Sequence, residues 1–394
     1  MIIIHDKKDC CGCGACYSKC PVSAISMEED EEGFLYPVTD KGRCIGCGLC
    51  EQVCPFLAPK SGNKVIESWG CKSLNDKIRF ESSSGGVFSL FSEYIISLGG
   101  SVFGVSMSED CKRAVFMQVH KINQLKYLRG SKYIQASTGE IFRTVKEELD
   151  RKRVVLFSGT PCQINGLKNY LGNDPAHLIS VDIICHGVPS PLVWRKYMER
   201  AEEKVRTVAV SFRCKDHGWE NYGIKRTDAN HKNRFISKDE DAYIQFFLKD
   251  YCLRPSCYEC KVKNSRYSDV TIADFWGVEH FAPELNDGVG TSFVIVRSPK
   301  GKSLLEKVIK NTESQKVDYD KVIRYNTAEY ESKKRPDERD TFFRDINRLS
   351  FKEMERKYLP LSVNQRMKRV IKKTKKGLLE GKKLIDKTFF FEKA

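Results

Sequence analysis

The spacing of cysteines in the first 54 residues constrains this chain more than any other feature. Cys10-x2-Cys13-x2-Cys16-x3-Cys20-Pro21 recurs as Cys44-x2-Cys47-x2-Cys50-x3-Cys54-Pro55, with every interval kept. The 394 residues hold 17 cysteines, nine of them before residue 55. An odd count, the chain length and the absence of a signal-peptide core in Met1 to Cys10 argue against a secreted disulfide scaffold. With 41% hydrophobic and 30% charged residues the composition is that of a globular chain. No apolar run approaches the roughly 18 residues of a membrane span. The cysteines therefore read as metal ligands in a reducing, cytoplasmic setting.

The repeat has a physical logic. A cubane needs four thiolates arriving from different directions, and three closely spaced cysteines wrap only one of its faces. In two-cluster ferredoxins the fourth cysteine of each run ligates the other cluster. The spacing thus assigns Cys10, Cys13, Cys16 and Cys54 to one 4Fe–4S cluster, and Cys44, Cys47, Cys50 and Cys20 to a second. A zinc site would need only two CxxC pairs or Cys/His sets and would leave half of these thiols unused. Cys11, next to a ligand, is surplus to the pattern and reads as structural.

Residues 1–60 thus read as an α+β ferredoxin-like two-cluster domain, and Pro59 to Lys64 as a linker. The acidic run Glu28 to Glu32 reads chiefly as a solvated hairpin tip, with a redox-partner docking patch as the minor reading. Over residues 65–350 short β-branched runs alternate with amphipathic segments, the pattern of an α/β domain with a mixed sheet. Val102–Met107, Arg153–Phe157 and Ile179–Ile184 read as strands; Gly85–Leu98, Thr138–Leu149, Pro161–Leu171 and Pro191–Lys204 read as helices. Residues 351–394 read as a helical basic tail.

Four further cysteines stand in distinctive places. Cys162 lies where a predicted strand passes into a helix, Cys185 ends another strand, and Cys257 and Cys260 form a loop CxxC. Strand ends are where open α/β sheets place their ligands. Spacing alone leaves three readings open: a third cubane, buried free thiols, or a redox-active pair. Cys71, Cys111, Cys214 and Cys252, like Cys11, read as structural.

Taken with Ser82-Ser83-Ser84-Gly85-Gly86, Leu128 to Tyr133, Gly159 to Cys162, Asp182 to Pro191 and Ser268 to Gly277, these motifs make the chain resemble the coenzyme F(420) hydrogenase/dehydrogenase beta-subunit family from about residue 1 to about 350. The resemblance implies a third 4Fe–4S cluster held by Cys162, Cys185, Cys257 and Cys260, with FAD beside it. Ser84, Gly85 and Gly86 open a predicted helix whose free N–H groups would meet a phosphate or flavin edge, and Lys132 would stabilise a reduced flavin. A plain helix start and a solvated lysine are the bland readings of the same residues. His186 reads as a proton donor near the site or as a structural histidine. No GxGxxG fingerprint points to NAD. The expectation is an iron–sulfur flavoprotein oxidoreductase that relays electrons between a redox partner, protein or small carrier, and a substrate at the flavin. The alternative is a flavin-free electron-transfer or accessory subunit serving surface polysaccharide biosynthesis.

The net charge of +15 invites a nucleic-acid reading. From Asn364 to Ala394, however, 11 Lys/Arg face 3 Asp/Glu, so more than half of the excess is tail. No zinc-finger, homeodomain or RNA-binding signature accompanies it. Val363, Met367, Val370, Ile371, Thr374 and Leu378 keep helical spacing among lysines. The tail reads first as a solvated helix and second as a basic amphipathic one that would meet an anionic membrane inner face.

Overall fold

A computed structural model describes residues 1–203 and 205–360. The amphipathic pattern from Val363 onward, and with it most of the basic tail, lies outside the described residues. The chain divides into two units, Met1–Phe343 and Arg344–Ala394. In the second, the helix Phe351–Tyr358 is opened by a reciprocal cap between Ser350 and Glu353. Among the described residues no helix is long and apolar enough to cross a membrane.

In the first unit an antiparallel hairpin, β1 (Ile25–Glu29) and β2 (Leu35–Thr39), links the two cysteine runs. The chain then lays down β3 (Glu67–Ser73), β4 (Ser101–Met107), β5 (Ala114–Val119), β6 (Ala136–Ser137), β7 (Val155–Gly159) and β8 (Leu178–Ile183). A separate antiparallel sheet follows, made of β9 (Thr207–Cys214), β10 (Gly223–Asp228) and β11 (Asn233–Ser237). Finally β12 (Val270–Asp274), β13 (Ser292–Val296) and β14 (Thr312–Val317) complete a nine-stranded mixed sheet of order β14-β3-β13-β12-β8-β7-β4-β5-β6. Its centre, β4-β7-β8-β12, is parallel, and antiparallel pairs flank it on both sides.

The parallel centre is buried on both faces, which explains its continuous apolar runs. Leu156, Val181 and Val270 face the helices Val87–Ser97 and Pro299–Val308. Val155, Phe157 and Leu178 face the helices Ile141–Asp150 and Pro161–Leu171. Each such fully buried side chain contributes about 1.5–3 kcal/mol.

The predicted strands and helices are present, with shifts at helix starts that have local causes. Gly86 takes φ +88 as the cap of its helix, so helical geometry begins at Val87 rather than Gly85. Gly139, at φ +47, delays the next helix to Ile141. Thr160 and Gln163 cap each other around Pro161, which starts that helix where the sequence places it.

Two expectations are corrected. The acidic run is only in part a solvated tip: Glu28, Glu29 and Glu31 are exposed, but Glu32 is buried, and Arg339, 1% exposed, grips its carboxylate with two hydrogen bonds of 2.9 and 2.6 Å. Glu29 pairs with Arg195, and Lys7 binds Asp30 and Glu31. Alternating charge along a hairpin does not reveal that a distant arginine waits for it. The Pro59–Lys64 segment is not a free linker either: Asn63 donates from its backbone to Arg266 (2.7 Å) and from its side chain to Tyr267 and Ser268.

Candidate functional site

The two cysteine runs fold into the same backbone shape. Gly12 and Gly46 both sit at φ +69, and Gly14 and Gly48 at +75 and +72, each second glycine capping a short helix, Ala15–Lys19 or Leu49–Gln52. A side chain is disfavoured in that conformation, which explains the interleaved glycines. Backbone amides point at sulfur: Gly12 N–H at Cys10 Sγ (3.4 Å) and Ala24 N–H at Cys20 Sγ (3.2 Å).

The fourth cysteines cross over. Burial and the neighbouring charges of Cys10 and Cys54, and then of Cys50, push the Cys16 thiol up, and Cys13 feels Cys16 and Cys54. Cys54 thus stands among the sulfurs of the first run. Cys20, Cys44, Cys47 and Cys50 line a separate small pocket. Cys47 is exposed, as is Ile45, so this second cage opens to the surface. Among the described residues no three His, Cys, Asp or Glu side chains converge tightly enough for a single ion. A cubane presents separate irons to its thiolates, so a cage for it surrounds a body rather than a point.

The third cage is assembled from distant segments. Neighbouring parallel strands β7 and β8 deliver Cys162 and Cys185 just past their carboxyl ends. The CxxC loop is sewn to the chain after β8: Val188 N–H donates to Cys257 Sγ (3.3 Å), Arg254 N–H to Val188 O (2.9 Å), and Lys263 Nζ to Cys185 O (2.9 Å). Burial pushes the Cys185 thiol up to about 12, with Cys162 and Cys260 adding to it against Lys263. Cys257, likewise raised by burial first, feels Cys185, Cys260 and Cys162. All four thiols are thus mutual neighbours, with Lys263 and Arg266 close to Cys185.

Beside this cage the remaining motifs converge. Ser83 and Ser131 hydroxyls lie 3.0 Å apart, and Ser131 N–H donates to Ser83 Oγ, joining Ser82–Gly86 to Leu128–Tyr133. Ser84 and Gly85 do not offer free groups: Ser84 Oγ donates to Thr291 O (2.6 Å) and Gly85 N–H to Ser292 Oγ (3.0 Å). A Cβ on Gly85 would stand 2.3 Å from Cys71 O, so this glycine serves close packing on the sheet. Gly86 caps the helix. Lys132 also departs from expectation. Its ammonium, pushed down to about 7 by burial, folds back onto Tyr127 O and Arg129 O at the end of the preceding short helix Leu125–Leu128, where carbonyls attract cations.

Sequence reasoning missed the groups that have spare capacity. Arg213, at the end of β9, binds Asp274 Oδ2 (2.8 Å) at the end of β12, reaches the Tyr133 hydroxyl (3.4 Å), and stacks over Tyr222. Its buried Nε and Nη2 have no hydrogen-bond partner among the described residues, and neither does Trp219 Nε1. Trp219 stacks on the partly exposed Trp276 at 4.6 Å. Unmet buried donors are rare enough to call for an acceptor. Lys215, buried, donates to Arg79, Ser84 and Val289 carbonyls and is pushed down to about 7 by that burial. Aromatic contacts run from the strand-end cysteines to Tyr133, whose hydroxyl Arg213 reaches. His186, next to Cys185, is held by Asp250 (2.6 Å) and meets Phe247 edge-on at 4.8 Å; Phe247 in turn stacks on Tyr133 at 4.8 Å. The only sequence signal for Arg213 and Lys215 is a pair of cations at the end of a strand, which reads as solvent-facing.

Residues 152–322 match the family model for the C terminus of the coenzyme F420 hydrogenase/dehydrogenase beta subunit, and residues 9–58 match a 4Fe-4S dicluster domain. Among curated proteins, the chain is 23% identical over 309 residues to a coenzyme F420-dependent sulfite reductase of Methanocaldococcus jannaschii. That alignment covers 77% of this chain and 47% of the relative, so the chain spans about half of the relative's length. Among solved structures, a chain of the F420-reducing [NiFe] hydrogenase complex of Methanosarcina barkeri aligns with a TM-score of 0.45 and 12% identity, covering 65% of this chain and 84% of that one.

Proposed function

From a chain that joins a 4Fe-4S dicluster domain to the C-terminal domain of a coenzyme F420 hydrogenase/dehydrogenase beta subunit, we propose an iron–sulfur oxidoreductase that relays electrons between a redox partner and a two-electron carrier. What supports the reading is the proximity of the cysteines of the repeat to one another and of Cys162, Cys185, Cys257 and Cys260 to one another, together with buried donors of Arg213 and Trp219 that have no partner among the described residues. Cys10, Cys13, Cys16 and Cys54 hold one cluster; Cys20, Cys44, Cys47 and Cys50 hold the outermost; Cys162, Cys185, Cys257 and Cys260 hold the innermost. The exposed second cage is the entry for a partner, and Arg213, Tyr133 and Trp219 receive the carrier.

The relatives' names point to coenzyme F420 as that carrier. A deazaflavin moves electrons as hydride and a cluster takes them singly, so an FAD held beside the strand-end cysteines would supply the conversion between the two. Arg213 Nε and Nη2 and Trp219 Nε1 supply donors to ring or phosphate acceptors; Trp276 and Tyr133 supply flat apolar walls. A second reading, a flavin-free electron-transfer subunit, draws on the chain spanning only 47% of the sulfite reductase relative.

Anaerobic purification followed by iron, sulfide and flavin determination, then addition of reduced F420, separates these readings. About twelve irons per chain, bound FAD and cluster bleaching by reduced F420 are expected. Iron near eight removes the strand-end cluster, absence of flavin favours the accessory role, and zinc without iron overturns the proposal.

A further inference from the structure

The two cysteine loops share a backbone and differ in what stands in front of them. A Cβ built on Gly12 would lie 2.4 Å from Gln135 Nε2, and one on Gly14 2.2 Å from Thr138 Oγ1, so the body of the chain covers the outer face of the first loop. At the equivalent Gly46 and Gly48 no atom of the described residues comes within 4 Å of such a Cβ. The residue after each first cysteine follows the same division. Cys11 packs against the core that holds Ile164 and Leu167, whereas Ile45 is 65% exposed. The second loop thus presents, bare, the face that the first loop has buried, with Ile45 at its centre and the exposed Cys47 beside it.

The rim of that face is basic. Arg43 Nη2 donates to Val22 O (3.2 Å), and Val22 lines the pocket of the second cage. Cys20 and Pro21 line both that pocket and an adjoining cleft walled by Lys19, Arg143 and Lys146. The neighbouring carboxylates are occupied: Glu51 pairs with the Met1 amino group, Glu140 with Arg143 and Asp150 with Lys146, while Asp40 accepts from the Gly42 and Arg43 amides. Lys19 donates to Tyr170 O, and neither it nor the exposed Lys41 and Arg43 enters an ion pair among the described residues. An apolar centre with a cationic rim suits a partner whose own rim is acidic.

We propose that this face, Ile45 with Lys19, Lys41 and Arg43 around it, docks a small acidic one-electron carrier protein. The inference rests on the reading that the second cage holds a cluster and is the entry for a partner. The carrier's cofactor is oxidised by one electron and the outer cluster is reduced by one; no bond is made or broken and no proton moves. Opposite charges speed the encounter and make it fall with salt, and the apolar contact at Ile45 slows release.

The test uses the full chain, purified anaerobically with its clusters, and a small acidic 2Fe–2S ferredoxin as probe. The readouts are isothermal titration with oxidised ferredoxin, and stopped-flow reduction of the clusters by reduced ferredoxin or by the cationic methyl viologen radical. For wild type, the second-order rate constant with ferredoxin should fall about tenfold or more between ~0.05 and ~0.5 M NaCl. Lys19→Glu/Lys41→Glu should lower that constant and the affinity about tenfold at low salt. It should keep about twelve irons and be reduced no more slowly by methyl viologen. Lys19→Gln/Lys41→Gln should fall between the two, and carries the test if the reversed pair loses iron. Ile45→Ser, checked for iron content, should weaken binding at low and high salt alike. Lys302→Glu/Lys310→Glu makes the same charge change on the helix Pro299–Val308 and the turn after it, and should leave both readouts within about twofold. Three results would overturn the docking face and leave the electron relay standing: salt-independent reduction, unchanged affinity in the Lys19/Lys41 variants or equal slowing by the Lys302/Lys310 pair, and no binding of ferredoxin to a chain whose clusters methyl viologen reduces. Absence of clusters from the wild type would instead remove the electron relay, and this inference with it.

Discussion

The ferredoxin repeat and the strand-end cage use the same side chain for the same geometry and are assembled in opposite ways. The repeat closes within 54 residues, and its two loops share glycine conformations to within a few degrees. The strand-end cage needs β7 and β8 in register, a CxxC loop arriving from a later part of the chain, and a buried ion network behind it. In that network Arg266 binds Asp182 and Glu329, and Arg297 binds Glu329 as well. The first kind of cage is written in spacing. The second is written in tertiary structure and depends on every tie that holds its contributors in place.

The largest effect separates the two cages outright. Cys185→Ser should lower iron from about twelve to about eight per chain while the two ferredoxin-type EPR signals persist. Loss of all iron would mean that the two kinds of cage are not separable. Next comes the tie between the ferredoxin hairpin and the body. Arg339→Met strands the buried Glu32 carboxylate and should cost about 3–5 kcal/mol in anaerobic denaturant unfolding. Adding Glu32→Leu should recover a large part of that, and a neutral Arg339→Met would show the tie to be incidental. The smallest effect is at Lys215. Burial holds Lys215 near 7, below the roughly 10.4 of an unfolded lysine. Between about pH 7 and 9 the unfolded chain therefore binds more protons at this site, so stability rises with pH there, by up to about 1 kcal/mol per pH unit. Lys215→Met should flatten that slope in urea midpoints measured across the same range; an unaltered slope would place the lysine outside the titrating set.

Legibility follows the same divide. Cys10 to Cys54 partition from the amino-acid sequence alone, because local spacing dictates which sulfurs share a centre. Cys162, Cys185, Cys257 and Cys260 are each visible there, but their convergence follows from resemblance and not from spacing, since sheet order is a long-range property. Arg213 is invisible because a strand-end arginine looks alike whether it meets water or Asp274. Ser84 and Gly85 mislead for a related reason: a glycine that lets a ligand approach and one that lets a strand approach leave the same mark. Counting makes Cys11 surplus, and only the packing of the Pro161–Leu171 helix gives it neighbours.

The hairpin that carries Glu32 bears on how such a chain can be dismantled or recombined. Gly33 packs so closely that a Cβ there would lie 2.6 Å from the Leu192 amide, and Ser190 Oγ donates to Glu32 O. The cysteine-rich segment is therefore keyed to one particular host. Grafted onto another host chain, it would keep its cysteine spacing and lose its seat, because the lock belongs to residues 190–195 and 339. Exchange of this segment between related chains is restricted to hosts that bring the matching arginine.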